Sequence, residues 1–179
     1  DTKKFNPYGE CTAGGIYFTR LEHVLHWIQY RNKTMAKIRK VSIPDNAEVC
    51  FEKHKLKANE IILGEPIDLQ TFLESDKLTT EICLRSVTVD GLLLKYIPLN
   101  KLTTEICLAA VEQNGLAVKY VPVGLQTSEI LIAAVEQNGL AIRDITAEKI
   151  TETLCLAAIT ENKKALKYLP KEFRKKFSM

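Results

Sequence analysis

The chain has 179 residues, 46% of them hydrophobic, 26% charged and 7% aromatic, and its 25 Lys and Arg against 22 Asp and Glu leave a net charge of +3. That balance belongs to a folded globular chain and excludes a disordered tail, a collagen-like fibre and a disulfide-stapled miniprotein. No apolar run approaches the roughly 18 residues that a membrane-crossing helix needs, so no membrane role is expected. Asp1 rather than Met heads the chain, which reads as a trimmed start.

Residues 1–75 read as a small mixed α+β domain. Gly14-Gly15 precede a strand-like run, Ile16 to Thr19, and they lack the Lys-Ser/Thr of a phosphate loop, so they read as a turn. Leu21 to Tyr30 has Leu21, Val24, Leu25 and Ile28 on one helical face, with Thr19 available as a cap. Ile38 to Ile43 and Ala47 to Phe51 read as short strands on either side of the turn Pro44-Asp45-Asn46, and Ile61 to Gly64 is a further apolar run. His23 and His26 stand three apart, but neither Cys11 nor Cys50 completes a zinc spacing with them, so ordinary histidines are expected. The basic segment Lys53-His54-Lys55-Leu56-Lys57 reads as a solvated loop, with an anion or nucleic-acid contact as the alternative.

From Thr79 onward the chain repeats. TTEICLRSVTVDGLLLKYIPLNKL, TTEICLAAVEQNGLAVKYVPVGLQ, TSEILIAAVEQNGLAIRDITAEKI and TETLCLAAITENKKALKYLPKEFR begin at Thr79, Thr103, Thr127 and Thr151, a 24-residue period without gaps. Such self-similarity marks stacked units that cannot bury their apolar faces singly. Each copy reads as two helices. The opening Thr caps the first, and Glu81, Glu105, Glu129 or Glu152 sits near its positive end. Apolar residues follow around much of the circumference, and the pairs Ala109–Ala110, Ala133–Ala134 and Ala157–Ala158 permit close approach. Asp90-Gly91, Asn114-Gly115 and Asn138-Gly139 end the helix, with glycine read as supplying a left-handed residue. A short second helix runs to a stop at Pro98, Pro122 or Pro170.

Two further patterns share the period. Cys83, Cys107 and Cys155 occupy one repeat position where the third copy has Leu131, so these thiols read as buried packing groups. The odd total of five Cys and the absence of CxxC favour a reducing compartment. Lys95, Lys119, Arg143 and Lys167 form a basic ladder, read as cations welcomed by the negative end of each short helix and able to pair with a neighbouring Glu, with a positive stripe for an acidic partner or phosphates as the alternative. Tyr96, Tyr120 and Tyr168 stand beside it. The third copy departs from the pattern at Arg143-Asp144-Ile145-Thr146, the expected place for a bend or an altered surface, and the fourth has Lys163 for glycine. Seven basic residues crowd into Lys163–Lys176 against Glu172 alone.

The stretches Cys11 to Thr19, Ile38 to Pro44 and Lys57 to Gly64 resemble the N-terminal domain that precedes repeats in giant DNA virus proteins of the Megavirus and Mimivirus type. The TTEICLAAVEQNGLAVKYVP units resemble a helical repeat of the same viruses and of some microbial proteins. The resemblance implies a viral protein in the host cytoplasm and implies no reaction.

The expected fold is therefore α+β: a capping domain over 1–75, then an α-helical hairpin repeat array of four copies with a basic tail over 76–179. The expected function is a non-catalytic protein-interaction module with a viral or host protein partner, without cofactor, metal or catalytic residues. Because four short copies leave an apolar end, a homodimer is expected. The alternative is a nucleic-acid or anion-binding module acting through 53–57 and 163–176. A weaker one is an enzyme of unfamiliar fold with a pocket near Glu22, His23 and His26. Candidate partner or anion contacts are Lys53, Lys55, Lys57, Arg143, Asp144, Arg174, Lys175 and Lys176.

Overall fold

A computed structural model of the chain describes residues 16–20, 25, 28–30, 33–34, 37–52 and 55–177. The chain divides into two compact units, Asp1–Leu78 and Thr79–Met179. The boundary lies at the first repeat Thr, three residues beyond the expected one.

In the first unit β1 (Ile16–Phe18), β5 (Val49–Glu52) and β6 (Lys55–Ala58) form an antiparallel sheet ordered β1-β6-β5. β2 (Gln29–Tyr30) pairs with β3 (Lys33–Thr34), and β4 (Lys37–Ser42) pairs with β7 (Ile62–Asp68) through an irregular register between Arg39 and Val41. The expected strands at Ile16, Ile38 and Ala47 are present within a residue or two, and the apolar run Ile61 to Gly64 falls at the start of β7, which continues to Asp68. The expected helix is not continuous to Tyr30, because Gln29–Tyr30 is already extended and paired. Leu25 and Ile28 of its apolar face are buried, and its remaining residues lie outside those described. An unforeseen helix, α1 (Leu69–Glu74), is capped by Asp68, whose carboxylate accepts from the Gln70 amide, and it buries Leu69, Phe72 and Leu73.

The second unit is helical. α2 (Thr80–Val89), α3 (Thr104–Gln113), α4 (Ser128–Gln137) and α5 (Glu152–Glu161) have ten residues each and recur at the 24-residue spacing. The hydroxyls of Thr79, Thr103, Thr127 and Thr151 accept from the amides of Ile82, Ile106, Ile130 and Leu154 at 3.2–3.3 Å. This satisfies one of the otherwise orphan N–H groups of each first turn. Asp90, Asn114, Asn138 and Asn162 then end each helix with extended backbone (φ near −150°) and cap the next element, accepting from the amides two residues on.

That next element is a six-residue 3-10 helix, Gly91–Tyr96, Gly115–Tyr120, Gly139–Asp144 or Lys163–Tyr168. The second arm is thus 3-10 rather than α. In three copies proline forces the residue before it to be extended, which leaves only six positions between cap and stop. A three-residue 3-10 turn follows in the first three copies, and α6 (Lys171–Phe177) in the fourth. The third copy keeps the same elements without its proline. Ile145 is still extended and buried, so the departure at Arg143–Thr146 alters the surface and not the path of the chain.

Successive sets stack. α3 lies against α2 and α4, α4 against α5, and each six-residue 3-10 helix touches the one in the next set. The core repeats with them: Ile106, Cys107, Ala110 and Val111 are buried in α3, and Ile130, Leu131, Ala134 and Val135 at the same positions of α4.

Candidate partner-binding surface

Outside the buried core, the side chains of each set divide into those that join sets and those left outward. Joining comes first, because it rigidifies the surface. A Cβ built on Gly91, Gly115 or Gly139 would lie 2.2 Å from the carbonyl oxygen of Ala110, Ala134 or Ala158 in the next set. None of the three takes a positive φ. These glycines therefore serve close approach, and the expected left-handed role is replaced by the extended Asp or Asn before them.

Across the same contact the Gly91 amide donates to Gln113 Oε1 at 2.6 Å and the Gly115 amide to Gln137 Oε1 at 2.5 Å, while Gly139 donates to the Glu161 carboxylate. Gln113 and Gln137 also donate back to the carbonyls of Val89 and Gln113. Sequence reasoning missed this joint. Its trace is one column of the repeat: Val89, Gln113, Gln137, Glu161. A second tie comes from Lys149, whose ammonium donates to the carbonyls of Val123 (2.6 Å) and Gln126 (3.0 Å) in the preceding set.

Cys83, Cys107 and Cys155 are fully buried, as their exchange with Leu131 implied. Burial pushes the Cys107 and Cys155 thiols up to about 11 and raises Cys83 as well. The unfolded chain sheds the Cys107 and Cys155 protons near pH 9, whereas the folded one holds them to about 11. The stability tied to the neutral thiols is thus complete below pH 9 and lost as the pH climbs through 11. A thiol reagent at pH 8 is expected to leave all three unmodified in the native chain and to label them in guanidinium; prompt native labelling would contradict their packing role.

The outward residues of the 3-10 helices form the candidate surface. Lys95, Lys119 and Lys167 are exposed, and each ammonium lies over the ring of the following tyrosine, at 4.6 Å from Tyr96, 4.8 Å from Tyr120 and 4.7 Å from Tyr168. The expected pairing with a neighbouring Glu gives way, for Lys119 and Lys167, to this cation–π contact. In the third copy Arg143 pairs with Asp144 at 3.4 Å. Lys167 beside its hydroxyl, and then Arg143 of the preceding copy, hold the Tyr168 phenol below its usual range. On the three-residue 3-10 turns that follow, Leu99 and Val123 are 71% and 58% exposed.

The other candidate residues are dispersed. Lys55 and Lys57 belong to β6, the middle strand of its sheet, so the expected solvated loop is a paired strand and Lys57 is 0% exposed. A fully buried ammonium offers nothing to a partner. On α6, Arg174 donates to the carbonyls of Lys167 (2.7 Å) and Leu169 (2.9 Å), and Lys176 pairs with Glu152 at 2.5 Å, while Lys175 is exposed. Two of these three tail cations thus have structural partners. Lys53, Glu22, His23, His26, Cys11 and Gly14–Gly15 lie outside the described residues. Among the described residues no three His, Cys, Asp or Glu are grouped as metal ligands, and no helix is long and apolar enough to cross a membrane.

Residues 79–126 and 103–151 each match the family described as a domain of unknown function, DUF4116. Each match takes in two consecutive copies, and so includes one complete glycine–glutamine joint. No curated protein and no solved structure matches the chain.

Proposed function

We propose that the chain is a non-catalytic protein-interaction module whose second unit is a helical hairpin repeat array, presenting one set of outward side chains per copy to a protein partner. The observation that carries this reading is the division of labour within each copy. The buried positions, the joints of Gly91, Gly115 and Gly139 with Gln or Glu, and the Asx caps hold the backbone, while one cation per copy, beside a tyrosine in three copies, and Leu99 and Val123 in the first two stay outward. Stacked repeats with such pre-organised faces bind partners at little ordering cost. The resemblance to giant-virus proteins puts that partner, in this proposal, among viral or host proteins of an infected cell's cytoplasm. A second copy of the chain is a further occupant to test, through the outer side of the fourth set, where Leu156 is 47% exposed.

Affinity capture from infected cells with the tagged full chain tests the reading. The expected result is a defined protein retained by the wild type and lost from a Lys119→Glu, Lys167→Glu variant that melts like the wild type. A captured set indifferent to both changes would overturn it. Light scattering at high concentration addresses the dimer, which a single-chain mass eliminates. Retention of nucleic acid that falls steeply with salt would instead support the polyanion alternative.

A further inference from the structure

The cation–tyrosine row is the outward feature with the most regular geometry, and its spacing constrains what can lie along it. Each copy contributes one cation, from a 3-10 helix that touches the corresponding one in the next copy. Packed helices stand about 8–10 Å apart. A polyproline II segment rises about 3.1 Å per residue with three residues per turn, so its side chains return to one side every 9 Å or so. A spacing in that range would match one turn of such a segment.

The chemistry selects the class of ligand. The exposed Lys95, Lys119 and Lys167 ask for anions, whereas Leu99 and Val123, exposed on the 3-10 turns that follow two of those helices, ask for apolar contact. Nucleic acid fits less well. Each ammonium already covers a face of its tyrosine ring, the face on which a base would stack. Asp144 also places a carboxylate in the row, where it opposes any anionic ligand, peptide and nucleic acid alike.

We propose that this row binds an extended acidic segment of a partner protein whose carboxylates recur at every third residue, one for each copy. The proposal rests on the protein-interaction reading and adds the surface, the partner's conformation and its charge register.

Fluorescence anisotropy with the full chain tests it, using a labelled peptide of Glu-Pro-Pro repeated four times at low salt. The comparison probes are a peptide of the same composition with its four Glu adjacent and a twelve-nucleotide oligothymidine. The spaced peptide is expected to bind better than both. Lys119→Gln should weaken it about threefold, as for one exposed ion pair, and Asp144→Asn should tighten it by about the same factor. The second change adds affinity, so loss of folding cannot mimic it. Equal binding of the two peptides, tighter binding of the oligonucleotide, no binding at all, or no gain from Asp144→Asn would each overturn the register. Protein capture that persists when the spaced peptide fails to bind removes this inference alone; if capture is also indifferent to the row, the broader reading falls with it.

Discussion

Replacing Gly115 by alanine is expected to cost about 3 kcal/mol, the upper end of ordinary overpacking, and to lower the thermal midpoint of the second unit by about 10 °C or more. The added Cβ would sit 2.2 Å from the Ala134 carbonyl oxygen and 3.1 Å from the Asn138 Cβ. The nearest atom is backbone, in the middle of α4, and α4 is itself held between α3 and α5. No rotamer change relieves such a contact, so the sets must separate. Separation stretches the 2.5 Å bond between the Gly115 amide and Gln137 and opens the buried seam around Ala110 and Ala134. Gly124→Ala is the control, since nothing lies within 4 Å of its Cβ position. That variant should stay within about 0.5 kcal/mol of the wild type. Circular dichroism melts of the two would decide the matter, and a Gly115→Ala midpoint close to the control's would show that the close approach is not needed.

The same contact explains a departure that sequence reading could only note. Lys163 stands where the first three copies have glycine, yet its 3-10 helix has the same six residues and the same Asn cap. Its side chain is exposed because α6, rather than a further copy, follows it. One period after Thr151 the chain has Lys175 in place of the capping Thr. At the other end Val89, 42% exposed, stands where later copies carry the glutamine or glutamate that reaches back. The first copy lacks the reaching side chain and the last lacks the receiving glycine, so both ends of the stack are written in the residues that deviate.

Much of this unit was legible because its determinants are local. Thr at the cap, Asx at the break and Pro at the stop each act within four residues, and the 24-residue period multiplies the signal. The role of Gly115 was not legible in the same way. A glycine needed for a positive φ and one needed for a missing Cβ look alike in sequence, and only the neighbour 19 residues on, Ala134, separates them. In the first unit β6 was hidden by its lysines: Lys55-Leu56-Lys57 lacks strand composition, and its pairing with both β1 and β5 overrides that. α1 was missed because six residues are too few for a helical period, although Asp68 followed by Leu69, Phe72 and Leu73 carries the cap and the spacing. The cation–tyrosine row was visible as a ladder, but its outward placement depends on the stacking of the 3-10 helices.

The joint itself can be tested apart from packing by changing Gln137. Gln137→Ala removes the only acceptor seen for the Gly115 amide, which lies in a buried residue, and also the donor to the Gln113 carbonyl at 3.4 Å. An orphaned buried amide costs about 1–3 kcal/mol. The side chain of Gln137 is otherwise exposed, so little apolar burial is lost to confuse the reading. Gln137→Glu keeps the acceptor, as a charged and therefore stronger one, and gives up only the long second bond. The fourth copy already uses that arrangement, with Glu161 accepting from Gly139. Glutamate is accordingly expected to lie within about 0.5 kcal/mol of the wild type while alanine falls by the larger amount. Hydrogen exchange supplies a residue-specific readout: in the alanine variant the Gly115 amide loses protection, and those of Gly91 and Gly139, which have their own acceptors, keep theirs. Equal stability of the two variants, with Gly115 still protected in both, would mean that shape alone joins the sets and that the glutamine column is incidental.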